Sequence, residues 1–258
     1  MILLRMKQII KSILPDNLIN FLLIIKDIFG KRIHNYEAYV NAINKCEGLE
    51  IGGPSNIFKY RIPVYSNCLS MEFSNFSSQT VWEGRLSGTT KYFNNKRGKQ
   101  HIAEATELEI FSDQQFDFVL SSNCLEHVAN PIKALKEWRR IAKNTIILIL
   151  PLKDNNFDHR RPITTFEHLI DDYNNDVDEY DLTHLDEILS LHDLKLDPLA
   201  GSYEDFKNRS LKNFENRCLH HHVFDENLVN EICNHLGMSI VEQTITKDDW
   251  IFLIKINH

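Results

Sequence analysis

A chain of 258 residues, 43% hydrophobic and 25% charged, has the balance of an ordinary globular protein, with apolar material for one sizeable core and room for an insertion. Its formal net charge of −7 repels phosphate backbones, which argues against nucleic acid as a partner. The five cysteines, Cys46, Cys68, Cys124, Cys218 and Cys233, are scattered and never spaced as C-x-x-C, so neither a disulfide framework nor a zinc knuckle is expected, and a reducing, cytoplasmic setting fits.

Residues 1–4, 9–14 and 18–25 are apolar, but Arg5, Lys7, Lys11, Asp16 and Lys26, with Pro15 between them, interrupt the pattern. No run of the roughly 20 apolar residues needed for a membrane span remains, and no small-residue cleavage site follows. An amphipathic helical pair, basic on its polar side, is expected as an N-terminal extension over residues 1–40. It either packs on the main domain (41–258) or on a second copy in a homodimer, or it rests peripherally on the anionic inner face of a membrane.

Further along, residues 48–51 read as a strand meeting Gly52-Gly53-Pro54, residues 116–121 as a second strand and 145–150 as a third. The last is apolar on both faces, as a central parallel strand must be. Between the second and third, Asn130 can cap a helix with Pro131 in its first turn and Ile132, Leu135, Trp138 and Ile141 at helical spacing. Residues 153–223 form a polar, acidic, His-containing stretch. Helices are expected at 165–173 and 184–192, because Thr164 with Glu167 and Thr183 with Asp186 have capping-box spacing. We read this stretch as an insertion covering a site. Asp225 can then cap a closing helix that stops at Gly237, before a strand pair at 238–241 and 250–256. The alternation predicts an α/β fold with helices on both faces of a mostly parallel sheet.

A diglycine directly after a strand lets a ligand approach the backbone next to helix N-terminal N–H groups. Glu72 follows about twenty residues later, the distance at which doubly wound folds place an acid on ribose hydroxyls; the alternative is a solvated strand residue. Glu50-Ile51-Gly52-Gly53-Pro54-Ser55 resembles the glycine-rich first motif of class I S-adenosylmethionine-dependent methyltransferases. Residues 102–106 (IAEAT) resemble that family's third-strand turn, whose acid addresses the adenine amino group, and residues 116–128 (FDFVLSSNCLEHV) resemble the fourth-strand motif of its type 11 group. The resemblance covers about residues 46–151. It implies a Rossmann-like fold with the insertion after the fifth strand, S-adenosylmethionine as cofactor, and a cofactor site of Glu50, Gly52, Gly53, Glu72, Glu104, Ala105, Ser121, Asn123 and His127. A nicotinamide-dependent Rossmann enzyme is the competitor, but it would prefer a fuller G-x-G-x-x-G after Ile51.

Methyl transfer to oxygen or nitrogen needs an aligned acceptor and, for a hydroxyl, a base. The run Asp158-His159-Arg160-Arg161 follows the third strand's carboxyl end. His159 suits a base oriented by Asp158, while Arg160 and Arg161 suit an anionic acceptor; alternatively this is a surface turn whose arginines pair with Asp171 or Asp172. In the run His220-His221-His222, His220 and His222 can share a face if extended, His222 for catalysis and His220 for the acceptor. With His159 or His168 they offer a possible divalent metal site, the alternative being hydrogen-bonded histidines.

The Asp-His-Arg-Arg-Pro segment also resembles bacterial enzymes of capsule or lipopolysaccharide synthesis, which implies O-methylation of a nucleotide sugar or surface-glycan unit. A methyltransferase for another small molecule, lipid or protein, and a module that only binds, stay open.

Overall fold

The computed structural model describes residues 32–257 except Glu83. The elements in chain order are α1 (Tyr36–Ile43), β1 (Glu47–Ile51), α2 (Ile57–Tyr60), α3 (Val64–Asn67), β2 (Ser70–Asn75), β3 (Gln79–Thr80), β4 (Gly84–Arg85), β5 (Thr89–Phe93), β6 (Lys96–Ile102) and β7 (Phe116–Ser122). There follow α4 (Pro131–Ile141), β8 (Ala142–Pro151), α5 (Phe166–Asn174), α6 (Leu185–Leu191), α7 (Tyr203–Ser210), α8 (Asn213–Asn216), α9 (Glu226–His235), β9 (Met238–Ile245) and β10 (Asp249–Ile256).

Eight strands make one sheet in the order β5-β6-β2-β1-β7-β8-β10-β9, and β3 and β4 form a separate small ribbon. The strands β6, β2, β1, β7 and β8 run parallel. At one edge β10 inserts antiparallel between β8 and β9, and at the other β5 pairs antiparallel with β6. The chain leaves β1 toward β2 on one side and returns to β7 on the other, so a crevice opens at the carboxyl ends of β1 and β7, where doubly wound sheets hold their ligands. This is the mostly parallel α/β sheet expected from the alternation of elements, with the Rossmann-like topology that the resemblance implied.

Period-two alternation sends the central strands' side chains to two cores. Leu49, Ile51, Val119, Ile146, Leu148 and Leu150 meet the α4 and α9 side, while Phe118, Leu120, Ile147, Ile149, Ile251 and Leu253 meet the α1 to α3 side. Each such fully buried side chain contributes about 1.5–3 kcal/mol of transfer free energy. Helix α4 forms as its sequence predicts: Asn130 Oδ1 accepts the Lys133 N–H at 3.1 Å, Pro131 occupies the first turn, and Ile132, Leu135, Trp138 and Ile141 are buried.

The segment between β8 and α9 is folded around a small core of Ile188, Ala200, Phe206 and Leu219. Its caps differ from those expected. Thr165, one residue after Thr164, caps α5 through the His168 N–H, and Thr164 Oγ1 accepts the Val223 N–H instead. Helix α6 has no side-chain cap; the Thr183 hydroxyl turns to Asp181. The capping box that does form joins Ser202 and Asp205. Spacing alone cannot say which hydroxyl faces the helix, because the entering backbone direction sets it.

The amphipathic pair expected in the N-terminal extension lies outside the described residues, which begin at Arg32. Among the described residues no helix is long and apolar enough to cross a membrane. All five cysteines are free.

Candidate functional site

At the end of β1 the chain turns through Gly52 at φ 80°, held by its N–H on Ser74 O at 2.9 Å. A Cβ there would stand in a left-handed conformation that side chains resist and only 3.1 Å from Cys124 Sγ, so the backbone favours glycine and the space around it is tight. At Gly53 a Cβ would fall 2.1 Å from the Glu50 carboxyl carbon. Glu50 is fully buried and accepts from the Ser55 N–H at 3.0 Å and from the Tyr65 hydroxyl. Its carboxylate therefore braces the turn from behind. At the end of β2, Asn75 donates to Gly53 O at 3.0 Å and fixes the turn's other side.

These strand ends line a cavity of about 570 Å³, within the range of small-molecule sites. Gly52, Asn75, Glu104, Ala105, Ser122 and Asn123 form its floor. The 3-10 turn Leu125–His127 contributes Glu126 and His127 to the wall, and the insertion contributes Phe157, Glu179, Arg217 and His220. Trp82, from the loop joining β3 to β4, stands over His127 with ring centroids 5.2 Å apart. Trp138 ties the floor to α4: its indole N–H donates to Ala105 O at 2.9 Å.

The chemically richest part is where the insertion meets the 3-10 turn. The Nδ1–H of His220 donates to Asp158 Oδ2 at 2.6 Å, and Asp158 Oδ1 accepts from Arg161 Nη1 at 3.2 Å. Burial pushes the Asp158 carboxyl up, but the His220 and Arg161 charges and hydrogen bonds outweigh it and hold it at about 2. Burial likewise opposes protonation of His220, yet the Asp158 charge and hydrogen bond, with Glu126 beside them, raise it above the ordinary histidine value. Burial pushes Glu126 up to about 7, against the pull of His220, and its Oε2 has no hydrogen-bond partner. Desolvation, with the His220 charge beside it, holds the half-buried His127 well below its ordinary value, and its Nδ1–H donates to Leu219 O at 3.0 Å. Ligand atoms from Glu126, His127 and His220 lie within 4.8 Å of one another.

Across the cavity, Arg217 is bound to Glu104 Oε1 at 2.6 Å and lies between the rings of Phe76 and Phe214, at 5.1 and 5.0 Å. Its Nε is buried without a hydrogen-bond partner, and its Nη1 lies 3.5 Å from Glu179 Oε2 as an ion pair. Burial raises the Glu104 carboxyl and Arg217 opposes the rise. Arg61 and Asp249, 3.6 Å apart, complete the rim.

Gly52, Glu104, Ala105, Asn123, His127 and His220, all expected at the site, line this cavity together. Several others do not. Glu72 sits inside β2, opposite Leu49, and pairs with His101 at 2.5 Å; the strand's end belongs to Asn75. Glu50 and Gly53 lie behind the turn, and Ser121 is buried in the sheet one residue before Ser122. The expected base, His159, points instead at Asp193 (3.2 Å), as does Arg160 (2.7 Å), because the turn buries its ends, Asp158 and Arg161, and leaves the two middle residues on its outer side. Arg161 is buried and bonded to Glu187 Oε1, His220 O and His221 O, at 2.8, 2.7 and 3.1 Å, besides Asp158, and so clamps the His220 segment; it does not line the cavity. His222 is buried away from the cavity, its Nε2–H on Ala129 O at 3.0 Å. The four histidines expected to share a metal divide: His220 falls in the cavity, His168 and His222 in a separate cluster, and His159 in neither. Glu126, Arg217, Asn75, Arg61 and Asp249 were not singled out in the sequence. Glu126 and Arg217 have a sequence signal, the first inside the fourth-strand motif and the second directly before the Cys-Leu-His-His-His run.

Residues 85–150 match the family described as methyltransferase domain. Among solved structures, the chain is similar to an S-adenosylmethionine-dependent methyltransferase from Methanosarcina mazei (16% identity, 87% of this chain and 98% of that one, TM-score 0.44). It is similar also to one from Aquifex aeolicus (13%, 90% and 92%, 0.43). A Rhodobacter sphaeroides protein described as a Zn-dependent alcohol dehydrogenase aligns as well (12%, 88% and 91%, 0.49). Curated proteins include no match to the chain.

Proposed function

We propose that this chain is an S-adenosylmethionine-dependent methyltransferase that methylates a hydroxyl of a small anionic acceptor, with His220 as general base. Residues 41–258 are its methyltransferase domain and residues 153–223 the insertion that closes the acceptor side. The carrying observation is one cavity lined both by the Gly52 turn and by a histidine whose Nδ1 is held by a buried carboxylate. The match of residues 85–150 to the methyltransferase domain family supports the same reading.

The cavity floor fits the donor. Gly52 leaves its backbone exposed where a Cβ would crowd Cys124, Asn75 stands at the strand end that faces ribose hydroxyls in such sheets, and Glu104 and Ala105 are placed to address the adenine. When bound, S-adenosylmethionine supplies an electrophilic methyl on a sulfonium. The protein's task is to hold the acceptor in line and take up its proton. His220 does the second: with Nδ1–H committed to Asp158, Nε2 carries the lone pair, and the buried carboxylate stabilises the imidazolium that forms. Asp158 is thus a positioning residue one step behind the base. Arg217 and Arg61 favour a phosphate- or carboxylate-bearing acceptor such as a nucleotide sugar or a glycan unit, which would compete for them with Glu104, Glu179 and Asp249.

The test is incubation with labelled donor and a panel of nucleotide sugars, beside calorimetry with S-adenosylhomocysteine. Wild type binds the product and labels an acceptor, and His220→Gln loses turnover while keeping product affinity within about twofold. Product binding with labelling of amines or lipids alone would overturn the hydroxyl acceptor; absence of product binding by folded protein would overturn the whole assignment.

A further inference from the structure

Behind the cavity wall, a second group of side chains converges with no part in the chemistry above. His168 and Asp172 share one face of α5 at i,i+4 spacing, His184 precedes α6, and His222 lies two residues after the base. One ligand atom from each falls within 4.8 Å of all the others.

The distances suit a common centre. His168 Nε2 is 2.9 Å from His184 Nε2 and 3.2 Å from Asp172 Oδ2, and the His222 ring comes within 3.6 Å of the same oxygen through Nε2, the nitrogen bonded to Ala129 O, which leaves Nδ1 for an ion. Four ligands about 2.0–2.1 Å from a tetrahedral ion stand about 3.3 Å apart, close to the His168–Asp172 separation.

The hydrogen bonding points the same way. Asp172 Oδ2, buried among three imidazoles, makes no hydrogen bond and has only the ion-pair approaches of His168 and His222, and Nδ1 of His222 is buried with no hydrogen-bond partner. A buried ring nitrogen left unmatched costs about 1–3 kcal/mol unless something satisfies it. His222 spends Nε2–H on Ala129 O, the type of backbone contact that orients a metal-bound imidazole and fixes its tautomer. Among protein ligands, three neutral imidazoles and one carboxylate suit a closed zinc site.

We propose that His168, Asp172, His184 and His222 bind a zinc ion that fastens the insertion to the sheet. Binding needs both Nε2 lone pairs of His168 and His184, so the proton now between them moves to an Nδ1 or leaves to solvent. The ion joins α5, the start of α6 and the segment 220–222, and thereby holds His220 at the cavity through its neighbour two residues on. The site is independent of the methyltransferase reading, since metal content is measured without donor or acceptor.

The full-length protein, stripped with chelator and dialysed, is titrated with zinc and with cobalt(II). We expect about one equivalent bound, visible ligand-field bands typical of tetrahedral cobalt, and a melting temperature raised by roughly 5–10 °C at a hundredfold excess over Kd. His184→Gln and the partly exposed His168→Gln lose the bands and the zinc-dependent rise, while Glu126→Gln keeps them. Retention of the bands in folded His168→Gln would overturn the proposal, as would their loss in Glu126→Gln, which would put the ion at Glu126, His127 and His220. Absence of bound metal in well-folded wild type after loading would overturn it too.

Discussion

Asp158→Asn separates positioning from packing at the proposed base. The carboxylate is 2% exposed, bonded to His220 at 2.6 Å and to Arg161 at 3.2 Å. A carboxyl held at about 2 instead of 3.8 carries about 2 kcal/mol of pairing free energy at neutral pH. That contribution is complete above 3.8 and fades as pH falls toward 2, whereas the part due to the raised His220 is complete below 6.5 and fades as pH rises through its folded value. The amide keeps the shape and can still accept the Nδ1–H, but it removes the charge. We expect stability at pH 7 to fall by about 2–4 kcal/mol, since Arg161 loses part of its compensation, and the melting temperature by roughly 5–15 °C. Catalysis should suffer separately. With the imidazolium no longer stabilised, kcat drops about 10²- to 10⁴-fold, and the acid limb of the kcat/KM profile, which reports His220, moves to lower pH. The assays are chemical denaturation, pH–rate profiles with labelled donor, and calorimetry with S-adenosylhomocysteine. An unmoved acid limb, or a loss of turnover matched by an equal loss of product affinity, would refute the Asp158–His220 coupling.

Gly52→Ala forces a Cβ into the left-handed region against Cys124 Sγ, so a melt should show about 1–2 kcal/mol of destabilisation and calorimetry at least tenfold weaker S-adenosylhomocysteine binding. Glu126 rises from 4.5 to about 7 in the folded state, so it costs up to about 3 kcal/mol of stability as pH climbs through that window; Glu126→Gln should flatten the decline between pH 5 and 8 in urea melts, and an unchanged slope would reject the burial argument. Trp138→Ala removes a fully buried ring and its bond to Ala105 O. It should cost about 3–5 kcal/mol and weaken product binding by loosening the cavity floor, whereas equal affinity would show that the 103–106 turn holds its shape unaided.

Elements with a local physical cause were legible from the residues alone. The apolar 146–150 run of β8, the Asn130-Pro131 start of α4, the Asp225 cap of α9 and the glycine turn after β1 each follow from interactions within a few positions, and all are present. Of the cavity residues, Gly52 followed with its turn, whereas Glu104, Ala105, Asn123 and His127 came from the resemblance of residues 102–106 and 116–128 to family motifs.

The roles within the insertion were decided only by the tertiary structure. In the turn at 158–161 and in the run at 220–222, adjacent side chains diverge, and which one faces the crevice depends on how a segment more than sixty residues away packs back. Asp158 reaches His220 across 62 positions and Arg161 reaches His221 O across 60. Spacing can place a histidine on a face of its own element, but it cannot say which distant carboxylate waits there. For that reason the sequence proposed His159 as the base, and the fold turned it to Asp193 and put His220 in the cavity.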